Sequence, residues 1–257
     1  MFETLARTAA FFALALAAPA ASLAQQPAPA QTPPPAQTTP AAQPAHTPPP
    51  QAQASPAPQA GHEYAPLLEQ TVNYKDWTFK SLKDGKDVNL REWAKGKKLV
   101  LVVYFAPWCG NWKMEAPIVA RLYNEYKQHG FDVVAVSEYA APADTEKYFE
   151  GVGGAPYTVV VESEGRDARD KTTHYGYRQA CGDSRRWGSP FNVFLEPAKL
   201  NKSGDVLTEK AWVVGGELIE KDVERFIRER LGLAEKTAVA PCDGKKDDQK
   251  TTAAFKP

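Results

Sequence analysis

The sequence has little cysteine: three residues in 257, at Cys109, Cys181 and Cys242. That number excludes a small disulfide-framework fold, and because it is odd, at least one thiol must be free or paired elsewhere. Neither charge is in excess, with 31 lysines and arginines against 31 aspartates and glutamates. Without a whole-chain field, nothing implies nucleic acid or an anionic membrane surface as partner. The apolar run Ala9–Ala18 is shorter than the roughly 20 residues a membrane-spanning helix needs. Histidine is sparse. His46, His62, His129 and His174 are scattered, none at ligand spacing from a cysteine, so no metal and no cofactor are implied.

What is present begins with a targeting pattern. Arg7, the apolar run, Pro19 and the small residues Ser22 and Ala24 predict an export signal over 1–24, cut after Ala24. The protein is then periplasmic or secreted, or membrane-anchored if the signal is retained. Residues 25–60 are proline, alanine, glutamine and threonine, without the large apolar side chains that offset ordering entropy. They predict a disordered linker with polyproline II character, a semi-rigid stalk. One folded domain is expected over 61–233, followed by a flexible tail over 234–257.

Within the domain, Asp76 to Leu82 reads as a short strand, and Asn89 as the cap of a brief helix over Leu90 to Ala94. The valine-rich run Lys98 to Phe105 predicts a strand buried on both faces. A helix follows from about Cys109 to Gln128, with Pro117 inside it and Gly130 ending it. Strands are expected at Phe131 to Ser137, Tyr157 to Glu162 and Phe191 to Glu196, a helix at Pro142 to Glu150, and loop with short helix at Glu164 to Gly188. Val206 to Val214 reads as the hairpin partner of the Phe191 strand, and Glu217 to Leu231 as an amphipathic helix. This order predicts an α/β fold, a mixed central sheet with flanking helices.

The chemistry is expected in Tyr104 to Pro117, YFAPWCGNWKMEAP. Cys109 follows a buried strand and opens a helix, where unpaired N–H groups and the positive dipole end favour thiolate. Trp108, Cys109, Gly110, Lys113, Met114, Ala116 and Pro117 match the thioredoxin pattern W-C-G-P-C-K-M-x-A-P. The segment therefore resembles the thioredoxin superfamily, and with the export signal and Glu115 it looks most like the exported proteins of the TlpA/ResA type. The resemblance spans about Tyr64 to Leu231 and implies a thioredoxin-like fold. It makes Pro190, in Gly188-Ser189-Pro190-Phe191, the family's cis-proline, and Ser189 the backbone that meets a client chain.

The departures limit what the resemblance implies. The family's second cysteine falls at Trp112 and its buried acid at Val103, so the thiol that resolves a mixed disulfide is missing. A peroxidase of the peroxiredoxin kind is excluded by Ala106 and Val102. The expectation is thiol–disulfide handling outside the cytoplasm, by a single nucleophile, Cys109. Its partner would be a client protein or a small thiol or disulfide, with Trp108, Trp112, Ser189 and Pro190 as the contact surface. Trp108 is expected as a surface aromatic and Trp112 as a cover over the site. The alternative is a thioredoxin-fold binding module without catalysis. Cys181 has three options: a bridge to Cys242 that staples the tail, a bridge to Cys109, or a free or intermolecular thiol. Five arginines (Arg166, Arg169, Arg178, Arg185 and Arg186) form either a basic rim for an acidic client or a loop ion-paired with Glu164, Asp167, Asp170 and Asp183.

Overall fold

The computed structural model describes residues 61–234. The expected export signal (1–24), the linker (25–60), nearly all of the tail and Cys242 lie outside the described residues.

The fold is built around β5, Leu99–Phe105, whose seven residues are all buried. Alternate side chains of a strand face opposite sides, so one strand supports two cores. Leu99, Leu101, Val103 and Phe105 pack with α2 (Gly110–Tyr126), α3 (Pro142–Glu150) and α5 (Glu220–Leu231). Val100, Val102 and Tyr104 pack on the other side with α1 (Leu90–Ala94) and Tyr177 of α4 (Thr173–Ala180). The sheet runs parallel from β5 to β6 (Phe131–Ser137) and from β6 to β7 (Thr158–Val161). On the other side of β5, β8 (Phe191–Leu195) and then β9 (Val206–Val214) pair antiparallel. The mixed sheet and the β8–β9 hairpin are as expected. Asn89 caps α1, its side chain accepting from the Glu92 N–H.

The strand expected at Asp76 to Leu82 forms at Thr78–Ser81, and four further strands had no expected counterpart. β2 (Leu68–Lys75) pairs with β9 at one edge, and β3 (Thr78–Ser81) with β4 (Asp87–Asn89) forms the other. β2 is half exposed, interrupted by register shifts, and holds Asn73 at a left-handed φ of 46°. Exposed and buried residues alternate only over 71–75, too short a stretch to mark the whole strand. β1 (Tyr64–Ala65) pairs parallel with β10 (Glu217–Leu218) in a separate two-stranded sheet. That pairing takes Glu217 and Leu218 out of the last helix, which starts at Glu220. Among the described residues, no helix is long and apolar enough to cross a membrane.

Candidate functional site

β5 ends at Phe105, and four residues later Cys109 stands as the N-cap of α2 with extended backbone (φ −73°, ψ 128°). The chain turns there because the Cys109 N–H bonds to Ala106 O at 2.9 Å, and the Lys113 N–H to Cys109 O at 3.2 Å opens the helix. Cys109 is partly exposed, and its S–H donates to Ser189 O at 3.1 Å. The Ser189 loop is held against the end of β5 because the Ala106 N–H donates to Ser189 Oγ at 2.9 Å. The Ser189–Pro190 peptide bond is cis. The structure thus brings together Cys109, Trp108, Ser189 and Pro190, which are far apart in sequence.

Trp112 requires a correction. It neither covers the site nor reaches a client: its side chain is fully buried, 4.5 Å from the Phe105 ring. The reason is helical spacing. Trp112, Glu115, Val119, Leu122 and Tyr126 form the inward stripe of α2, and the third residue after Cys109 falls on it. The position that would carry a resolving thiol is filled by an indole in the core.

Cys181 is separate from Cys109. It packs against the Val100–Tyr104 core, whereas Cys109 packs against the opposite one. It caps the C-terminus of α4, and burial together with Asp183 pushes its thiol up to about 11. A Cys109–Cys181 bridge is not formed.

Four residues that the sequence did not single out organise the site. Tyr139, just after β6, has a left-handed φ of 61°, uncommon for an aromatic residue. Its carbonyl accepts the Trp108 Nε1–H at 3.2 Å, and its N–H donates to Ser163 Oγ at 2.9 Å. Ser163 in turn donates to buried Glu138, whose carboxyl is held well above the usual range by burial and by the adjacent Glu162. The Tyr139 hydroxyl lies 3.0 Å from His174 Nδ1, and His174 Nε2 lies 3.1 Å from Gly188 O. A carbonyl only accepts, so Nε2 carries the proton and Tyr139 donates to Nδ1. Burial and then Arg178 lower His174 to about 3, so the neutral ring links the Tyr139 and Gly188 loops. Gly188 itself is obligatory. Its φ is +57°, and a Cβ there would lie 1.8 Å from Arg178 Nε.

Glu115, also on the inward stripe, accepts the Leu218 N–H at 2.7 Å and the Asn192 Nδ2–H at 3.4 Å, leaving Oε1 without a partner. Burial raises its carboxyl to about 8, so the neutral form prevails at pH 7.

The arginine-rich loop divides in two. Arg178 and Arg185 pair with Asp183 at 3.2 and 2.8 Å, and Arg185 also donates to Pro190 O at 3.1 Å. They fix the loop behind Pro190. Arg166, Arg169 and Arg186 instead stack on aromatic rings beside Cys109.

Chemically, the arrangement offers one partly exposed thiol at a helix start, against the Ser189–Pro190 loop, and among the described residues no second thiol lies beside it. The Redoxin family profile matches residues 56–187. Protein disulfide-isomerase of Saccharomyces cerevisiae is 30% identical over 128 residues, 50% of this chain, which spans only 22% of that relative. A probable phospholipid hydroperoxide glutathione peroxidase of Citrus sinensis is 29% identical over 170 residues, covering 62% of this chain and 96% of the relative. Among solved structures, a thiol:disulfide interchange protein from Bacteroides sp. has 20% identity and a TM-score of 0.45, covering 66% of this chain and 94% of its own. The profile spans half of the sequence and takes in the whole Cys109 turn: the chain belongs to the Redoxin family, with a thioredoxin-like fold.

Proposed function

We propose that this protein is exported and performs thiol–disulfide exchange outside the cytoplasm through Cys109 alone. Its segment 1–24 directs export, and the proline-rich segment 25–60 spaces the domain over 61–233 from its point of attachment or cleavage. In the reaction, the Cys109 thiolate attacks one sulfur of a client disulfide. The Cys109–client bond forms, the client's own S–S bond breaks, and the second client sulfur leaves as thiolate. A thiol from outside the protein resolves the adduct, since Trp112 occupies the position of an internal one.

The observation that carries this reading is the contact of Cys109 Sγ with Ser189 O at 3.1 Å, which places the sulfur on the loop that the family resemblance assigns to the client. The test is trapping in cells. The wild-type protein should be recovered in mixed disulfides that 1,4-dithiothreitol releases, and the Cys109→Ser protein should yield none.

One observation favours a second reading, a binding module that retained the fold for its client groove. The indole of Trp112 and the apolar Val103 leave no partner thiol or titrating acid in the places that dithiol exchange uses. On that reading, Cys109→Ser captures the same partners as wild type, and capture survives reductant.

A further inference from the structure

We propose that the arginine–tryptophan cluster beside Cys109 is a docking surface for acidic polypeptide, which selects client disulfides flanked by aspartate and glutamate. The inference rests on the exchange reaction above and adds the substrate class to it.

Trp108 is the chain neighbour of Cys109, and its ring meets that of Trp187 edge to face at 5.4 Å. The guanidinium of Arg166 lies 4.2 Å from the Trp108 ring centre. Those of Arg186 and Arg169 lie 5.3 and 5.8 Å from the Trp187 ring centre. A guanidinium that stacks by its face keeps its N–H donors in its own plane, directed away from the ring. Those donors are almost unused here. Among the described residues the one hydrogen bond they make is a long one, from Arg169 Nη1 to Arg186 O at 3.5 Å. Among the described residues no carboxylate pairs with any of the three. Asp183, the best-placed acid of the loop, is committed to Arg178 and Arg185.

Three like charges held on two touching indoles repel one another. Among the described residues no carboxylate lies within ion-pair distance of them, and an external anion would pair with them. Stacking has already fixed the guanidiniums, so their capture by carboxylates costs less ordering than with free side chains. The charges are spread over two rings, more than one small anion spans. An extended chain presents same-face residues about 6.7 Å apart, so successive carboxylates can meet separate guanidiniums. A client strand passing Ser189 with its cystine at Cys109 would lay its neighbouring carboxylates on this surface.

The experiment uses the domain as it occurs in the full chain and three synthetic peptides with one mixed disulfide each, differing only in flanking residues: glutamate, glutamine or lysine. Adduct formation at Cys109 is followed by mass spectrometry. The glutamate peptide should react about tenfold faster than the glutamine peptide at low ionic strength, with the lysine peptide slowest. The advantage should vanish near 1 M NaCl, where the screening length is about 3 Å. Arg166→Gln/Arg169→Gln/Arg186→Gln should abolish the preference. Removing the same charge from a remote face, by Lys80→Gln/Lys95→Gln/Lys199→Gln, should keep it. Equal rates for the three peptides, a preference insensitive to salt, or one that survives the triple arginine variant would overturn the proposal. So would oxidised glutathione gaining as much as the glutamate peptide, since a tripeptide would then suffice. If Cys109 proves inert to every disulfide, the exchange reading fails, and docking is judged separately. Cysteine-free glutamate and lysine peptides are then titrated into the Cys109→Ser protein by tryptophan fluorescence. Tighter binding of the glutamate peptide keeps the surface, and equal binding removes it.

Discussion

Two thiols of this molecule stand at opposite ends of two helices and on opposite faces of one sheet. Cys109 begins α2, Cys181 closes α4, and each packs against a different core. A helix start directs unpaired N–H groups at a sulfur, whereas a helix end directs carbonyls. Cys181 also has Asp183 beside it and is half buried, and its thiol is raised accordingly. The same side chain thus stands at opposite ends of a helix dipole at the two sites. Cysteine content alone, odd or even, says nothing of that.

The largest expected effect concerns what replaced the second thiol at the Cys109 site. Trp112→Ala should destabilise the domain by about 3–5 kcal/mol in urea unfolding, because it empties a fully buried site against Phe105. A loss below about 1 kcal/mol would mean that the indole does not fill the core. Next, at neutral pH Cys181 should be alkylated far more slowly than Cys109. Its thiol at about 11, against 9.0 ordinarily, leaves roughly 100-fold less thiolate. Mass spectrometry of iodoacetamide-treated protein measures both rates, and equal rates would erase the contrast. The same peptide maps, taken without reduction, separate the options for Cys181: a linked peptide pair marks a bridge to Cys242, and an unlinked Cys181 peptide marks the free thiol on which the slow alkylation depends.

A smaller effect is expected at the loop facing Cys109. Gly188→Ala should cost about 1–3 kcal/mol, since the left-handed backbone and Arg178 both resist a Cβ. The pH dependence sharpens the comparison differently, since the two layers differ in sign. Glu115 binds its proton more tightly in the folded state, so its contribution is lost as pH rises from about 4.5 to about 8. His174 binds its proton more weakly when folded, so its contribution is lost as pH falls from about 6.5 to about 3. Each contributes a slope of at most about 1.4 kcal/mol per pH unit. The two oppose each other between 4.5 and 6.5, which predicts a plateau there in melting temperature with a decline on both sides. Glu115→Gln should flatten the alkaline side, and an unchanged alkaline decline would show that another group sets it.

Much of this was legible in the sequence, and the exceptions share a cause. β5 announced itself because seven consecutive residues are buried, and α1 because Asn89 caps it. Cys109, Trp108 and the Ser189–Pro190 segment could be paired only through a family resemblance, since no local signal links positions 80 residues apart. Trp112 reads as a site residue by its alignment with the family's second cysteine, whereas it completes the buried stripe of α2. Tyr139 had no signal at all: a left-handed φ is announced by glycine or asparagine, not by an aromatic residue. The division of the arginines into a paired set and a stacked set depends on where Asp183, Trp108 and Trp187 meet in space. Sequence order left both readings of that loop open; in the structure Arg178 and Arg185 pair with Asp183, and Arg166, Arg169 and Arg186 lie over aromatic rings.

The most direct test of the central claim is the stoichiometry of reaction with a simple aromatic disulfide such as 4,4′-dithiodipyridine, on folded protein, read by intact-mass and peptide mapping. The account predicts a single adduct at Cys109 that is absent from Cys109→Ser and persists until an external thiol is added. An adduct that resolves unaided into a Cys109–Cys181 bridge, or a Cys109 that reacts only after unfolding, would contradict it.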